Sequence, residues 1–260
     1  MTIFEEMLQL FMNDSFFDSY TFRKRDSSFI QKFDGGYRQI LLSHLQDICY
    51  FRVSPVFIVR FDFVHKWFEK YSSRPLRSQR DDATVVATPI DYGLGGAYGR
   101  EYLIDLKNNH IIDELNKIKQ ITKICADKFF STYITPLDVF NHDILPILEG
   151  KKELPTSGAF WLFQNLTICK VVAPESYDKL KAILLEHAKW IVTSSEKHPM
   201  PDLNMVFYYD RLDEILSFME SLSFEELKKI RVKDRVCDDP LIEQRICELG
   251  QQLVERYAKR

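Results

Sequence analysis

The densest group of side chains that could bind a ligand is a set of basic residues in the first quarter of the chain. Seven lysines or arginines and three acidic residues lie between Tyr20 and Arg60, in a stretch whose pattern predicts β-strands. Successive side chains of a strand point to opposite faces, so Arg23 and Arg25 are expected to share one face, as are Arg52 and Arg60. The candidate ligand-binding residues are Arg23, Arg25, Lys32, Arg38, Arg52 and Arg60.

A basic sheet face would attract an anionic ligand or nucleic acid, because the potentials of neighbouring charges add. The ordinary alternative is the solvated side of a half-buried antiparallel sheet, which is the commoner arrangement. The formal charge of the whole chain is −3, so no global attraction to nucleic acid is expected.

Asp138, His142 and Asp143 have the spacing closest to that of a metal site, since residues 138 and 142 meet on one helical turn. A zinc site needs a third and usually a fourth ligand, which the surrounding sequence does not offer. Helix capping and a solvated face are expected here instead, with no metal and no cofactor.

The glycine-rich segment Tyr92–Arg100, YGLGGAYGR, fits neither the dinucleotide fingerprint nor the P-loop. Its pattern predicts a flexible hairpin loop between two strands, or a loop that covers a substrate. No Gly-x-Ser-x-Gly elbow is present to mark a serine nucleophile.

The five cysteines, at positions 49, 125, 169, 237 and 247, are widely spaced and odd in number. This spacing predicts free thiols of a cytosolic protein, not disulfides or zinc ligands. Cys169 lies in the apolar run NLTICKVV, where burial would raise its pKa and make it unreactive.

Neither a signal peptide nor a membrane span is expected. Glu5 and Glu6 stand where a signal peptide needs basic residues, and no apolar run approaches the roughly 18 residues of a membrane span. The chain is therefore predicted to be cytoplasmic, without membrane association.

Period-two alternation predicts four strands between residues 19 and 61, after an amphipathic helix that starts at Thr2. Asp34-Gly35-Gly36 predicts a tight turn, and Pro55 favours an edge strand or a bulge for the fourth strand. A short helix at residues 62–71, a loop at 72–82 and two strands, at 83–90 and 100–106, are expected next.

Helical periodicity follows from residue 109, with apolar stripes over residues 111–129, 177–191, 209–219 and 242–253. Strands followed by helices favour an α+β fold, with an antiparallel sheet in the N-terminal half and a helical C-terminal half packed on or beside it. The expected organisation is a sheet domain over residues 1–150 and a helical region over 151–260, which could also form one continuous domain.

The N-terminal helix, the segment YTFRKRDSSFIQKFDGGYRQILLSHLQ, the strand FRVSPVFIVRF and the later ITKICADKFFSTYITPLDVF together resemble the bacterial domain-of-unknown-function family DUF4304. The resemblance covers about the first 145 residues. It implies the α+β fold and no particular activity.

Three functions are compatible with these patterns. A protein-binding or regulatory module, of the kind formed by immunity proteins, fits the lack of catalytic motifs, so the partner is expected to be another protein. A binder of an anionic ligand fits the basic strands, with nucleic acid less expected. An enzyme whose active site is dispersed along the chain leaves no local motif and is the third hypothesis.

Overall fold

The computed structural model describes residues 2–72, 82–96, 99–155, 160–195, 208–231 and 248. Most of the predicted helix over 242–253, most of the predicted loop over 72–82, and Cys237 and Cys247 lie outside these ranges. In chain order the elements are α1 (Ile3–Met12), β1 (Thr21–Arg23), β2 (Ser28–Phe33), β3 (Gly36–Gln46), β4 (Tyr50–Phe61), α2 (Asp62–His65), β5 (Val85–Ala87), β6 (Tyr102–Asp105), α3 (Ile111–Thr132), α4 (Pro136–Val139), α5 (Leu145–Leu148), α6 (Phe160–Val172), α7 (Tyr177–Ser195), α8 (Leu212–Ser221) and α9 (Phe224–Lys229).

The chain forms two compact units. Unit 1 comprises Met1–Phe61 and Ala83–Ile134, and unit 2 comprises Asp62–Asp82 and Thr135–Arg260. The antiparallel sheet lies in the N-terminal half of the chain and helices make up the C-terminal half, which confirms the predicted α+β class.

The boundary between the units follows Ile134, upstream of the expected position near residue 150. The helical turns between Pro136 and Leu148 pack against α6 and α7 and so belong to unit 2. The α2 turn likewise contacts α6 and α9. Loop composition does not reveal this boundary, because a compact unit is defined by contacts between distant segments.

Unit 1 is built on a six-stranded antiparallel sheet. Strands β1 to β4 form a meander in which each strand pairs with the next. The two long strands, β3 with 11 residues and β4 with 12, pair along the whole length of β3. Both β5 and β6 pair with β4, at Phe57–Val59 and at Tyr50–Val53 respectively.

One face of this sheet is covered by α1 and α3, and is called the helix-covered face below. Directly opposed residues of an antiparallel pair share a face, and the row Phe29, Ile40 and Phe57 is buried on this one. The ring of Phe11 in α1 lies 6.1 Å from that of Phe29, and the ring of Phe129 in α3 lies 6.2 Å from that of Phe57. The apolar core of unit 1 therefore fills the space between these helices and the sheet.

Pro55 lies inside β4, which has neighbours on both sides, so the expected edge strand is wrong. The N–H of Leu42, which lies opposite Pro55, donates to Ser27 on the side away from β4. The backbone of Pro55 therefore points away from β3 as well, because hydrogen-bonding residues alternate in direction. On its other side, β4 pairs with β6 up to Val53 and with β5 from Phe57 onward, and Pro55 lies between these two paired stretches. The N–H group that proline lacks is therefore not needed for a hydrogen bond between strands.

The predicted tight turn joins β2 to β3. Phe33 pairs with Gly36, so that Asp34 and Gly35 alone form the loop. Gly35 has φ of +78°, a conformation that glycine adopts without the penalty of a Cβ atom.

The glycine-rich segment connects β5 to β6, but the two strands do not pair with each other, so the predicted hairpin is wrong. A 3-10 turn at Pro89–Tyr92 begins the connection, and Gly96 pairs with Gly99 in an isolated bridge. Both strands add to β4 instead, because β4 is long enough to accommodate them in succession.

Unit 2 is helical in its described residues and has an aromatic core. The predicted helix at 62–71 forms as α2 and a 3-10 turn, Phe68–Lys70. Trp67 is fully buried and donates from Nε1 to Oγ1 of Thr167 at 3.1 Å. The ring of Phe68 lies 4.8 Å from Phe163 and 5.3 Å from Tyr208. None of the helices in the described part of the chain is long and apolar enough to cross a membrane.

Candidate functional site

The six basic residues singled out from the sequence do not share one accessible face. Four of them lie on the face opposite the helix-covered face: Arg23, Lys32, Arg52 and Arg60. Arg38 lies on the helix-covered face, because its partner across β2 and β3 is Gln31. Arg25 lies in the 3-10 turn Lys24–Asp26, where strand alternation does not apply. The prediction of a single basic face is therefore wrong.

Several of these charges are also neutralised or buried. Arg23 forms an ion pair with Asp26. Nη2 of Arg52 lies 3.5 Å from Oδ2 of Asp47. Arg60 is only 2% exposed. A cation beside a carboxylate contributes little to the attraction of a distant anion, since the opposite charges cancel.

Arg38 has a different environment. Its guanidinium lies over the ring of Phe130, with Cζ 5.6 Å from the centroid, and its Nε is buried without a hydrogen-bond acceptor. A cation–π contact stabilises by about 0.5–1 kcal/mol, whereas a buried donor without an acceptor costs about 1–3 kcal/mol. The contact with Phe130 therefore does not offset the free-energy cost of burying the Nε–H of Arg38 without an acceptor.

Exposed apolar side chains gather where β3 turns into β4. Leu45, Ile48 and Tyr50 are 60%, 97% and 38% exposed, and together they are called the hairpin-end patch. Oδ1 of Asp47 accepts hydrogen bonds from the N–H groups of Cys49 and Tyr50, at 2.8 and 2.7 Å, which holds the turn closed. Isolated exposed apolar residues are ordinary, but several of them around one turn are typical of an interaction site.

A cavity of about 90 Å³ adjoins the patch. Small-molecule sites usually enclose about 300–1,000 Å³, so this cavity suits one side chain of a partner and is too small for a metabolite. It is lined by Ser43, His44, Leu45, Arg52, Val53, Ser54 and Glu101.

The patch reaches the edge of the sheet at β6. Leu103 of β6 lies opposite Arg52, which in turn lies opposite Leu45. The N–H of Leu106 donates to the carbonyl of Cys49 at 2.8 Å, so the alternation of a strand directs the N–H groups of Leu103 and Asp105 away from β4. No described strand pairs with β6 on that side. An outward edge of this kind can accept an extended segment of another chain.

The residues with the spacing of a metal site are engaged elsewhere. Oδ2 of Asp138 accepts from the N–H and the hydroxyl of Thr135, at 2.7 and 2.8 Å, which confirms the helix-capping interpretation. Asp143 accepts from Lys152 at 2.6 Å. Among the residues that the structure describes, no three potential ligands lie close enough together to hold a metal ion.

A connected group of titratable side chains lies in unit 2. Oε1 of Glu220 accepts from the hydroxyl of Tyr177 at 2.7 Å and from Nζ of Lys181 at 2.6 Å. Burial, followed by the bond to Glu220, raises the pKa of Tyr177 far above its ordinary value, so the phenol keeps its proton near neutral pH and is no general acid there. Lys170 donates to three carbonyls at the end of α8: those of Met219, Glu220 and Leu222. This arrangement fastens α8 to α6 and α7.

A cavity of about 330 Å³ lies beside α9 in unit 2, and its carboxylates are already engaged. Of its two carboxylates, Glu225 binds Lys228 at 2.6 Å, and Glu226 caps the helix through Ser223. Its lining residues are Leu222, Glu225, Glu226, Lys229 and Ile230.

The thiols of the described cysteines are free. Burial raises the pKa of Cys125 and that of Cys169 to about 11, so both remain protonated near neutral pH. This confirms that Cys169 is a buried thiol without nucleophilic character.

Sequence reasoning missed the hairpin-end patch. The available signal was Ile48 in the segment LQDICY, because a turn between two strands ordinarily carries polar residues or glycine. The edge at β6 had no sequence signal, since only the tertiary pairing shows that β6 adds to β4.

No family model, no curated protein and no solved structure matches this chain. The resemblance to DUF4304 therefore stays a prediction, and any function is argued from the geometry of the chain itself.

Proposed function

We propose that this protein is a binding or regulatory module that recognises another protein through the hairpin-end patch and the neighbouring β6 edge. The observation that carries the proposal is the exposure of Leu45, Ile48 and Tyr50 on one closed turn. Burying such side chains against a partner contributes roughly 25 cal/mol per Å² of apolar surface.

The surroundings of the patch favour a protein over a small molecule. The adjoining cavity has the volume of a single side chain, as expected for an anchor residue of a partner. The outward N–H groups of Leu103 and Asp105 supply main-chain donors for an extended segment, so the partner would add a strand to the sheet.

Site-specific photo-crosslinking in the cells that make the protein tests the proposal. A photoreactive amino acid introduced at position 48 should give a discrete crosslinked species. The control carries the same photoreactive amino acid at position 128 on α3, in place of the exposed Lys128. The substitution Leu45→Asp should abolish the species from position 48 without lowering the melting temperature, because Leu45 is largely exposed. Identical crosslinks from both positions, or crosslinks that survive Leu45→Asp, would contradict the proposal.

With the crosslinked partner purified, the affinity provides a second measurement. Loss of an apolar anchor at the centre of an interface typically costs about 2 kcal/mol, so Ile48→Asp should weaken binding by about thirtyfold. A change of less than about threefold would place the interface elsewhere on the molecule.

A further inference from the structure

We propose that Arg38 belongs to a second binding site, which holds the oxyanion of a small ligand, a carboxylate or a phosphate group. The site lies on the helix-covered face near the β2–β3 turn, and the hairpin-end patch lies at the other end of β3. The inference is thus independent of the proposed protein-binding function.

The charge of Arg38 is not neutralised within the described structure. No described carboxylate forms an ion pair with it, and its buried Nε has no acceptor. Arg23 and Arg52, in contrast, each have an aspartate partner. A half-buried guanidinium without a counter-charge is costly, and an oxyanion is the group that its donor geometry fits.

Two further hydrogen-bonding groups lie beside the guanidinium. The ring of Tyr20 lies 6.4 Å from Phe130, the ring over which Arg38 is placed. Burial raises the pKa of Tyr20 to about 12, although the charge of Arg38 acts to lower it, so its hydroxyl is a donor near neutral pH. Gln31, directly opposite Arg38 on β2, is only partly exposed and carries a carboxamide donor on the same face.

An acidic residue also acts on this cluster. Asp127 on α3 is exposed and acts on Tyr20, but it forms no ion pair with Arg38. An exposed carboxylate is screened by solvent and salt, whereas a partly buried guanidinium is screened less. The cluster therefore retains a net attraction for an anion at the guanidinium.

The test is thermal unfolding and binding at constant ionic strength, with potassium phosphate or potassium acetate against potassium chloride. In the wild-type protein the binding anion should raise Tm by about 3 °C at tenfold its Kd. A rise in Tm with phosphate alone would identify the ligand group as a phosphate, and a rise in Tm with acetate alone would identify it as a carboxylate. No rise with either anion overturns the proposal.

Arg38→Met keeps an apolar stem in place of the arginine stem and removes the charged guanidinium, so it should abolish the rise in Tm and weaken anion binding at least tenfold. Arg23→Met, which removes an arginine paired with Asp26 on the opposite face of the sheet, is the matched control and should leave the anion effect unchanged. An equal rise in wild type and in Arg38→Met would overturn the proposal. If Arg38→Met does not fold, the NMR signal of Nε–H of Arg38 in the wild-type protein decides, because it must shift and saturate on titration with the anion.

Discussion

At the scale of single residues, chemical identity alone does not assign a role. Arg52 is exposed and paired with an aspartate, Arg60 is buried, and Arg38 lies over an aromatic ring without an acidic partner. All three are arginines on adjacent long strands, and their surroundings follow from the register. A charge count along the sequence therefore overestimates the charge that a ligand meets.

The β2–β3 turn gives a prediction at this scale. Gly35→Val should lower the free energy of unfolding by about 1–2 kcal/mol, because a β-branched residue resists a φ of +78°. A Cβ at this position would meet no atom within 4 Å, so the cost is conformational and not steric crowding. Gly35→Asn is the matched control, since asparagine tolerates positive φ, and it should lose less than about half as much in urea unfolding. Equal losses in both variants would rule out φ as the cause.

At the scale of elements, the long strand β4 organises unit 1. Its 12 residues pair with β3 on one side and with β5 and β6 in succession on the other. This arrangement tolerates Pro55 in the strand interior and leaves β6 at the edge beside the hairpin-end patch. A single long strand thus accounts for both the proline position and the proposed binding edge.

The attachment of the N-terminal segment to α3 gives a prediction in the acid range. Asp14 accepts from Lys123 at 2.8 Å and lies 3.6 Å from Lys119, with its own side chain only 12% exposed. The hydrogen bond from Lys123 lowers the pKa of Asp14 below its ordinary value, although partial burial acts to raise it.

A carboxylate with a lowered folded-state pKa stabilises the protein above its unfolded-state pKa and loses this contribution as pH falls through the folded-state value. Asp14→Asn should therefore cost about 1 kcal/mol at pH 7, and the difference from wild type should shrink below about pH 4. Urea unfolding at both pH values measures this. The control is Asp18→Asn, an exposed aspartate without an ion pair among the described residues. If the difference in the free energy of unfolding between Asp14→Asn and wild type is the same at both pH values, the charge of Asp14 does not stabilise the fold.

At the scale of the whole molecule, the two units are interleaved in sequence. The segment Asp62–Asp82 interrupts unit 1 yet belongs to unit 2, where Trp67 and Phe68 contact α6. Neither unit is therefore a continuous stretch of chain.

This interleaving predicts the behaviour of a fragment that spans residues 1–134. The fragment retains Phe63, Trp67 and Phe68 but lacks their partners, among them Phe163 and Phe224. Each exposed aromatic residue forfeits roughly 2–3 kcal/mol of burial, so the fragment should bind a hydrophobic dye strongly and self-associate. The full chain is the control, and a monodisperse fragment that binds no dye would contradict the division into units.

The sequence by itself determined the local structure. The capped first helix, the four strands of the meander, the glycine turn and the helices α3, α7 and α8 follow from alternation, periodicity and turn chemistry, which depend on neighbours in the chain. The helix α6 was not among the predicted helices. The burial of Cys169 followed from its apolar surroundings for the same reason.

Tertiary structure alone decided which distant residues meet. Strand register placed Arg38 apart from Lys32, the pairing of β4 with both β5 and β6 replaced the expected hairpin, and long-range contacts moved the unit boundary. The hairpin-end patch and the uncompensated Arg38 arise in the same way. The exposure of a side chain and the pairing of its charge depend on groups that come from distant parts of the chain. A local sequence pattern does not show which of these groups will be neighbours in the fold.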